Sequence, residues 1–242
     1  MSVHPEILFF GFPGKANNTF LGWSSIALLQ SNGVNCLFDT GGHGARPNLI
    51  RALEDRNLSL NDIDIVFLSH LHFDHCANVS LFPQATFCFS AEEWEHANLS
   101  DDLCVQEGIL PQLRAFKKKL LKNDGEEIFK GAVSYFTPGH TPGSTSLICE
   151  EEEGRYALCG DAIKNRSELE MKPVAMTLCA EQSEESIKKI KTLSNRVLPG
   201  HDCWLYLEEN DTVVPHGTND ILITLPEGIT INGDTTVRLR ID

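Results

Sequence analysis

At 242 residues, 41% hydrophobic and 22% charged, the chain is long enough for a substantial buried core and too ordinary in composition to be disordered or fibrous. A net charge of −14 weighs against nonspecific binding to polyanions. No run approaches the ~18 apolar residues of a membrane span, and Met1 to Glu6 lack the basic start of a signal peptide, so no membrane contact and a cytoplasmic location are expected.

Eight cysteines include no C-x-x-C pair. Several lie in apolar, strand-like runs such as Phe87-Cys88-Phe89, which predicts buried free thiols rather than disulfides. No repeat, low-complexity tract or linker divides the chain, so residues 1–242 are expected to form a single domain.

Taken in order, Glu6 to Phe12 reads as an opening strand. Ser24 to Gln30 and Val34 to Phe38 form a hairpin across Ser31-Asn32-Gly33. A glycine-rich corner, Asp39 to Gly44, holds His43, which is expected either near a pocket mouth or, at least as readily, as an exposed loop residue. A helix is expected over about Pro47 to Arg56, and Asn61 as a cap before the strand Ile65 to Leu68. Ala85 to Phe89 is another strand, after which Ser90 caps a helix with Glu93 at the capping-box spacing. The stretch Asp101 to Glu127 shows apolar residues at helical spacing and is expected to be mostly helical, an insertion lying over the site. Within it Arg114 to Lys122 is basic; the solvated face of that helix is preferred to a nucleic-acid patch.

Strands follow at Ala132 to Phe136, Thr145 to Glu150 and Arg155 to Cys159, the last two joined by an acidic turn, Glu150 to Gly154. Ser183 is expected to cap a helix over Glu184 to Leu193. A short strand, Val197 to Gly200, leads into His201. The tail alternates at Ile221 to Leu225 and Thr235 to Ile241. Strand-rich halves separated by helices predict an α/β protein, an αββα four-layer sandwich, and the hairpin signals favour antiparallel pairing.

The chemistry concentrates in His70-Leu71-His72-Phe73-Asp74-His75, directly after an apolar strand. His70 and His72, two apart in an extended segment, point to one side and can share a metal. Asp74 and His75 can face a second position. Four residues do not close two sites. His140, Asp161 and His201 supply candidates, each at a strand end and each directly after a glycine, where the backbone can turn sharply.

The H-x-H-x-D-H motif followed by His140, Asp161 and His201 resembles the metallo-β-lactamase-fold hydrolases, over roughly Ser24 to His201. The resemblance implies the αββα fold. It also implies one metal on His70, His72 and His140, a second on Asp74, His75 and His201, and Asp161 bridging both. Asp39, in Asp39-Thr40-Gly41, would hydrogen-bond the metal-binding loop rather than ligate. Two zinc ions are expected, with iron and manganese as alternatives. Asp74 is the expected catalytic residue, orienting a bridging hydroxide and passing a proton to the leaving group.

Within that family a dedicated β-lactamase, a glyoxalase II and a flavodiiron protein fit poorly. A hydrolase of a small ester, lactone or thioester is the expected function. Lactonases of this size share the motif but carry Tyr three residues after the bridging Asp, where this chain has Lys164. The alternatives are a phosphodiesterase or RNase of the same fold, and a non-catalytic metal-binding regulatory or scaffold protein. Partners are expected to be a small-molecule substrate and, for assembly, a second copy in a homodimer; nucleic acid is disfavoured.

Overall fold

The computed structural model describes residues 3–152, 154–170, 172–217 and 220–241. In chain order the strands and helices are β1 (Glu6–Phe9), β2 (Ile26–Ser31), β3 (Val34–Phe38), α1 (Arg46–Glu54), β4 (Ile65–Phe67), α2 (Phe73–Cys76), β5 (Thr86–Ser90), α3 (Ala91–Leu99), α4 (Leu110–Ala115), β6 (Lys118–Leu121) and β7 (Glu126–Phe129). There follow β8 (Ala132–Phe136), β9 (Thr145–Glu151), β10 (Gly154–Gly160), α5 (Arg166–Leu169), α6 (Ala180–Leu193), β11 (Arg196–Pro199), β12 (Trp204–Leu207), β13 (Val213–His216), β14 (Ile221–Thr224) and β15 (Thr236–Leu239).

Strands β1 to β6 form one sheet in sequence order, and β13 to β7 a second in reverse order. Strands β14 and β15 pair separately as a hairpin. The layers follow from side-chain alternation. Ile26 and Leu28 of β2, with Leu37, Val66, Phe87 and Phe89, face outward and pack against Leu49 and Leu53 of α1, Ala97 of α3 and Leu113 of α4. Their neighbours Ala27, Leu29, Cys36, Phe38, Phe67 and Cys88 face inward and meet Leu147, Cys149, Tyr156, Leu158 and Leu198 of the second sheet. The outer face of that sheet, Ile148, Ala157, Cys159 and Val197, packs on Ile187 and Ile190 of α6. The result is helix, sheet, sheet, helix, the four layers expected.

Pairing is mixed rather than antiparallel throughout. Strands β3, β4, β5 and β6 run parallel, as do β10 and β11, while β1–β2–β3 and β7–β8–β9–β10 are antiparallel. This places the site. The parallel strands β3 and β4 end at one edge. In the second sheet β8, β10 and β11 all run the same way, so the loops after them also emerge together.

Three local expectations are corrected. The segment Asp101 to Glu127 is not mostly helical: after one turn at Glu107–Ile109 and α4, the chain extends into β6, which pairs parallel with β5. Lys118 and Lys119 of that stretch lie on an edge strand, flanked by Lys117 and Lys122, and not on a helix. Ser183 lies inside α6, which starts a turn earlier after Cys179; its hydroxyl bonds Thr177 at 2.6 Å. Asn61 does not cap; Ser59 does, in a reciprocal capping box with Asp62. The hairpin joining β9 and β10 forms as expected, with Glu153 outside the described residues. All eight cysteines are free, six of them buried. Among the described residues no helix is long and apolar enough to cross a membrane.

Candidate metal centre

Seven side chains from four chain segments converge at this edge. His70 and His72 follow β4; Asp74 and His75 lie in α2. His140 is in the β8–β9 loop, Asp161 follows β10 and His201 follows β11. Their ligand atoms form three overlapping groups, His70–His72–His140, His70–His75–Asp161 and Asp74–His75–His201, within each of which the atoms lie no more than 4.8 Å apart. Asp161 sits between them. Its Oδ1 is 3.1 Å from His75 Nε2 and 3.2 Å from His201 Nε2, while Oδ2 is 3.3 Å from His140 Nε2. Asp74 Oδ2 lies 3.4 Å from His201 Nε2 and 3.9 Å from His75 Nε2. All but Asp74 are buried.

Each imidazole is fixed by a bond on its far nitrogen. His75 Nδ1 donates to Asp39 Oδ2 at 2.7 Å. The Ser69 hydroxyl donates to the same oxygen and accepts from His70 Nδ1 at 3.0 Å. His140 Nδ1 donates to the Met176 carbonyl, and His201 Nδ1 to that of Trp23, both at 2.9 Å. His72 is turned the other way: Nε2 donates to Asp102 Oδ2 at 3.0 Å and Nδ1 faces inward. These outer bonds fix which nitrogen of each ring faces the centre: Nδ1 of His72 and Nε2 of the other four.

That arrangement fits a cation. His72 Nδ1 and His140 Nε2 face each other at 2.9 Å, two acceptors that repel unless positive charge lies between them. His70 Nε2, His75 Nε2 and Asp161 Oδ1 are buried without a hydrogen bond in a fold that satisfies its other polar groups with few exceptions. The electrostatics agree. Burial raises the Asp161 carboxyl, but His201, His75 and His140 hold it well below its ordinary value. Burial pushes His140 down to about 4, and burial with the neighbouring imidazoles pushes His70 well below its usual value. Such groups stay neutral and available as ligands. His75 and His201 go the other way, because Asp161 and Asp74 outweigh burial.

Close backbone approach is obligatory here. Gly160 has φ +50°, and a Cβ on it would lie 2.3 Å from Ser69 Oγ. A Cβ on Gly200 would lie 2.1 Å from Asp161 Oδ1. Asp39 itself adopts φ +56°, a left-handed conformation held by bonds from the Ser69 amide, the Ser69 hydroxyl and His75. Its place behind the motif loop is the one the resemblance implied.

Several residues that shape the centre carried no sequence signal for the contacts they make there. Glu93, in the first turn of α3, is fully buried; Oε1 accepts the Leu71 amide at 2.8 Å and Oε2 the Thr141 hydroxyl at 2.6 Å. It ties the motif loop to the His140 loop. The capping-box spacing was half informative: Ser90 does cap Glu93 N, but the Glu93 carboxylate turns away toward the site. Lys164 is buried, with Nζ 2.9 Å from Glu168 Oε1 and its carbonyl accepting the His201 amide. The expected cover contributes only its first residues: Cys104 O accepts the Phe73 amide and Val105 bridges to His72. His43 bonds Gln106 at 2.7 Å and is not among the converging groups.

The layered fold and this cluster define a metal-dependent hydrolase. The chain belongs to the metallo-beta-lactamase superfamily, whose family model matches residues 22–217. It is 34% identical over 175 residues to a Methanocaldococcus jannaschii protein named "Probable metallo-hydrolase", covering 72% of this chain and 73% of that one. It is 32% identical over 146 residues to an N-acyl homoserine lactonase of a Bacillus species, covering 58% of this chain and 56% of the lactonase. A solved dizinc quorum-quenching lactonase with a bound product superposes with a TM-score of 0.66 at 20% identity, covering 82% of this chain and 81% of that one.

Proposed function

We propose that the chain is a dinuclear zinc hydrolase acting on a small ester, lactone or thioester. His70, His72 and His140 would hold one ion, and Asp74, His75 and His201 the other, with Asp161 shared. The single observation that carries this is the Asp161 carboxylate, with one oxygen turned to His75 and His201 and the other to His140. The similarity to lactonases supports the carbonyl-centred substrate class.

When bound, a zinc pair supplies Lewis acidity and a water of lowered pKa. The remaining work falls to the chain. Asp74 is the most open carboxylate of the set, with its side chain 20% exposed. There it can hold a water by hydrogen bond, take up its proton and pass it to the leaving oxygen or sulfur. Asp39, Ser69, Asp102 and the Met176 and Trp23 carbonyls keep the five rings aimed. Glu93 holds the two ligand loops at a fixed spacing. Lys164 stands where the lactonase pattern has Tyr, so the substrate here need not be a homoserine lactone. Buried free thiols support a cytoplasmic enzyme, and the chain would act as a single domain.

The test combines metal analysis with turnover of a chromogenic ester, a lactone, a thioester and bis(p-nitrophenyl) phosphate. Two zinc ions per chain with carbonyl-substrate turnover is the expected result. Phosphodiester turnover alone would replace this reading with the nuclease-type one, and metal without any turnover would favour a scaffold. His72→Ala should lose activity and much of the metal.

A further inference from the structure

We propose that His72, Asp102 and Cys104 form an accessory site for a divalent transition-metal ion of the zinc class, on the outer side of His72. The His72 and Cys104 donor atoms and an Asp102 carboxylate oxygen lie within 4.8 Å of one another. A tetrahedral ion with bonds of ~2.0–2.3 Å sets its ligands roughly 3.3–3.7 Å apart, so the 3.0 Å between His72 Nε2 and Asp102 Oδ2 needs little change. One imidazole, one thiolate and one carboxylate is a set that selects zinc-like ions over calcium or magnesium.

The site is built rather than incidental. Asp102 is oriented by the Cys104 amide at 2.9 Å and by His96 Nε2 of α3 at 3.1 Å. The loop is pinned to the motif by the bond from the Phe73 amide to Cys104 O. Among the described residues the Cys104 thiol is in no disulfide and makes no hydrogen bond. A cavity of about 570 Å³, lined by Asp101, Asp102 and Glu107, opens onto Asp102 and gives a cation a route from solvent. Its Arg114 is held by the Asn98 side chain.

Coordination releases the Cys104 Sγ proton; the His72 Nε2 proton shifts to Nδ1 where that nitrogen is free and leaves to solvent only where an inner ion holds it. Solvent water fills the fourth position. Where the inner ion also occupies Nδ1, His72 bridges the two ions as an imidazolate; in sharing this ring the inference rests on the proposed inner ligand set. Nothing in that inner set is a cysteine, which gives the outer site its own signature.

Protein as isolated, its metal content already measured, is titrated with Co(II) under reducing conditions while the near-ultraviolet thiolate-to-cobalt charge-transfer absorption is followed. The expected band saturates at one ion per chain, vanishes in Cys104→Ser and needs at least about tenfold more cobalt in Asp102→Asn. Circular dichroism confirms that both variants fold. Independently, Zn(II) should slow alkylation of Cys104 in the unmodified chain, mapped by mass spectrometry. A wild-type protein without the band, an undiminished band in Cys104→Ser, or alkylation indifferent to zinc overturns the site. Metal content of the isolated protein reports on the inner pair separately, so failure of one reading is not mistaken for failure of the other.

Discussion

Gly200→Ala is the sharpest single test of how the centre is built. The added Cβ would lie 2.1 Å from Asp161 Oδ1 and 2.9 Å from the Gly160 carbonyl carbon and oxygen. Ordinary contact needs ~3.5 Å, so the carboxylate or its loop must move by about 1.4 Å. Asp161 cannot move that far and keep its 3.1–3.3 Å spacing to three histidines. Overpacking of this kind costs about 1–3 kcal/mol of stability, and a misplacement near 1 Å costs roughly 10²-fold in rate. The assays are metal per chain, turnover of whichever chromogenic substrate the wild type accepts, and urea unfolding. Gly33→Ala is the control: its φ is +79° but its Cβ would meet nothing, so it loses about 1 kcal/mol and no activity. Full metal content and turnover within threefold of wild type in Gly200→Ala would refute the reasoning.

Other perturbations probe the supports. Glu93→Ala leaves the Leu71 amide without its acceptor in a fully buried place and should cost about 1–3 kcal/mol in urea unfolding; a loss under ~0.5 kcal/mol would remove Glu93 as a strut. Asp39→Asn turns an amide donor toward the Ser69 or His75 donors and should weaken metal binding roughly 10–100-fold in a chelator competition, with unchanged affinity counting against its role. Arg166 donates to both oxygens of Asp202 at 2.8 and 2.9 Å, so Arg166→Met should destabilise by about 3–5 kcal/mol at neutral pH. Burial raises the Asp202 carboxyl, but Arg166 holds it below its ordinary 3.8. Its stabilisation is therefore present above that value and lost as pH falls through the native pKa. The gap between Arg166→Met and wild type should narrow on acidification below about pH 4; a gap independent of pH would contradict the assignment.

The fold layers and the convergence of seven polar residues were legible because both leave local marks. The apolar runs of β2 and β3 around Ser31-Asn32-Gly33 are a pattern of neighbours, and His140, Asp161 and His201 each follow a glycine at a strand end. What was not legible depends on reach across the chain. Glu93 acts on Leu71 and Thr141, 22 and 48 positions away. Asp102 acts on His72, 30 positions away. The misread of Asp101 to Glu127 has a related cause. Leu113, Phe116, Leu120 and Leu121 do fit a helical period, but pairing with β5 recruits Lys118 to Leu121 as a strand, and tertiary pairing outweighs local preference.

That last strand has a consequence for how the protein behaves in solution. As the terminal member of its sheet, β6 offers an unpaired backbone row of the kind that invites another chain to add on. Lysines flank and occupy it. Lys118 Nζ closes the end of α4 by donating to the Leu113 and Arg114 carbonyls, and Lys119 Nζ reaches across to the Glu127 carbonyl of β7. An incoming strand would have to strip water from these ammonium groups and break the stitch between the two sheets. The basic run thus guards an edge against self-association into extended β-structure, and replacing Lys117, Lys119 and Lys122 by apolar residues should show first as aggregation on refolding.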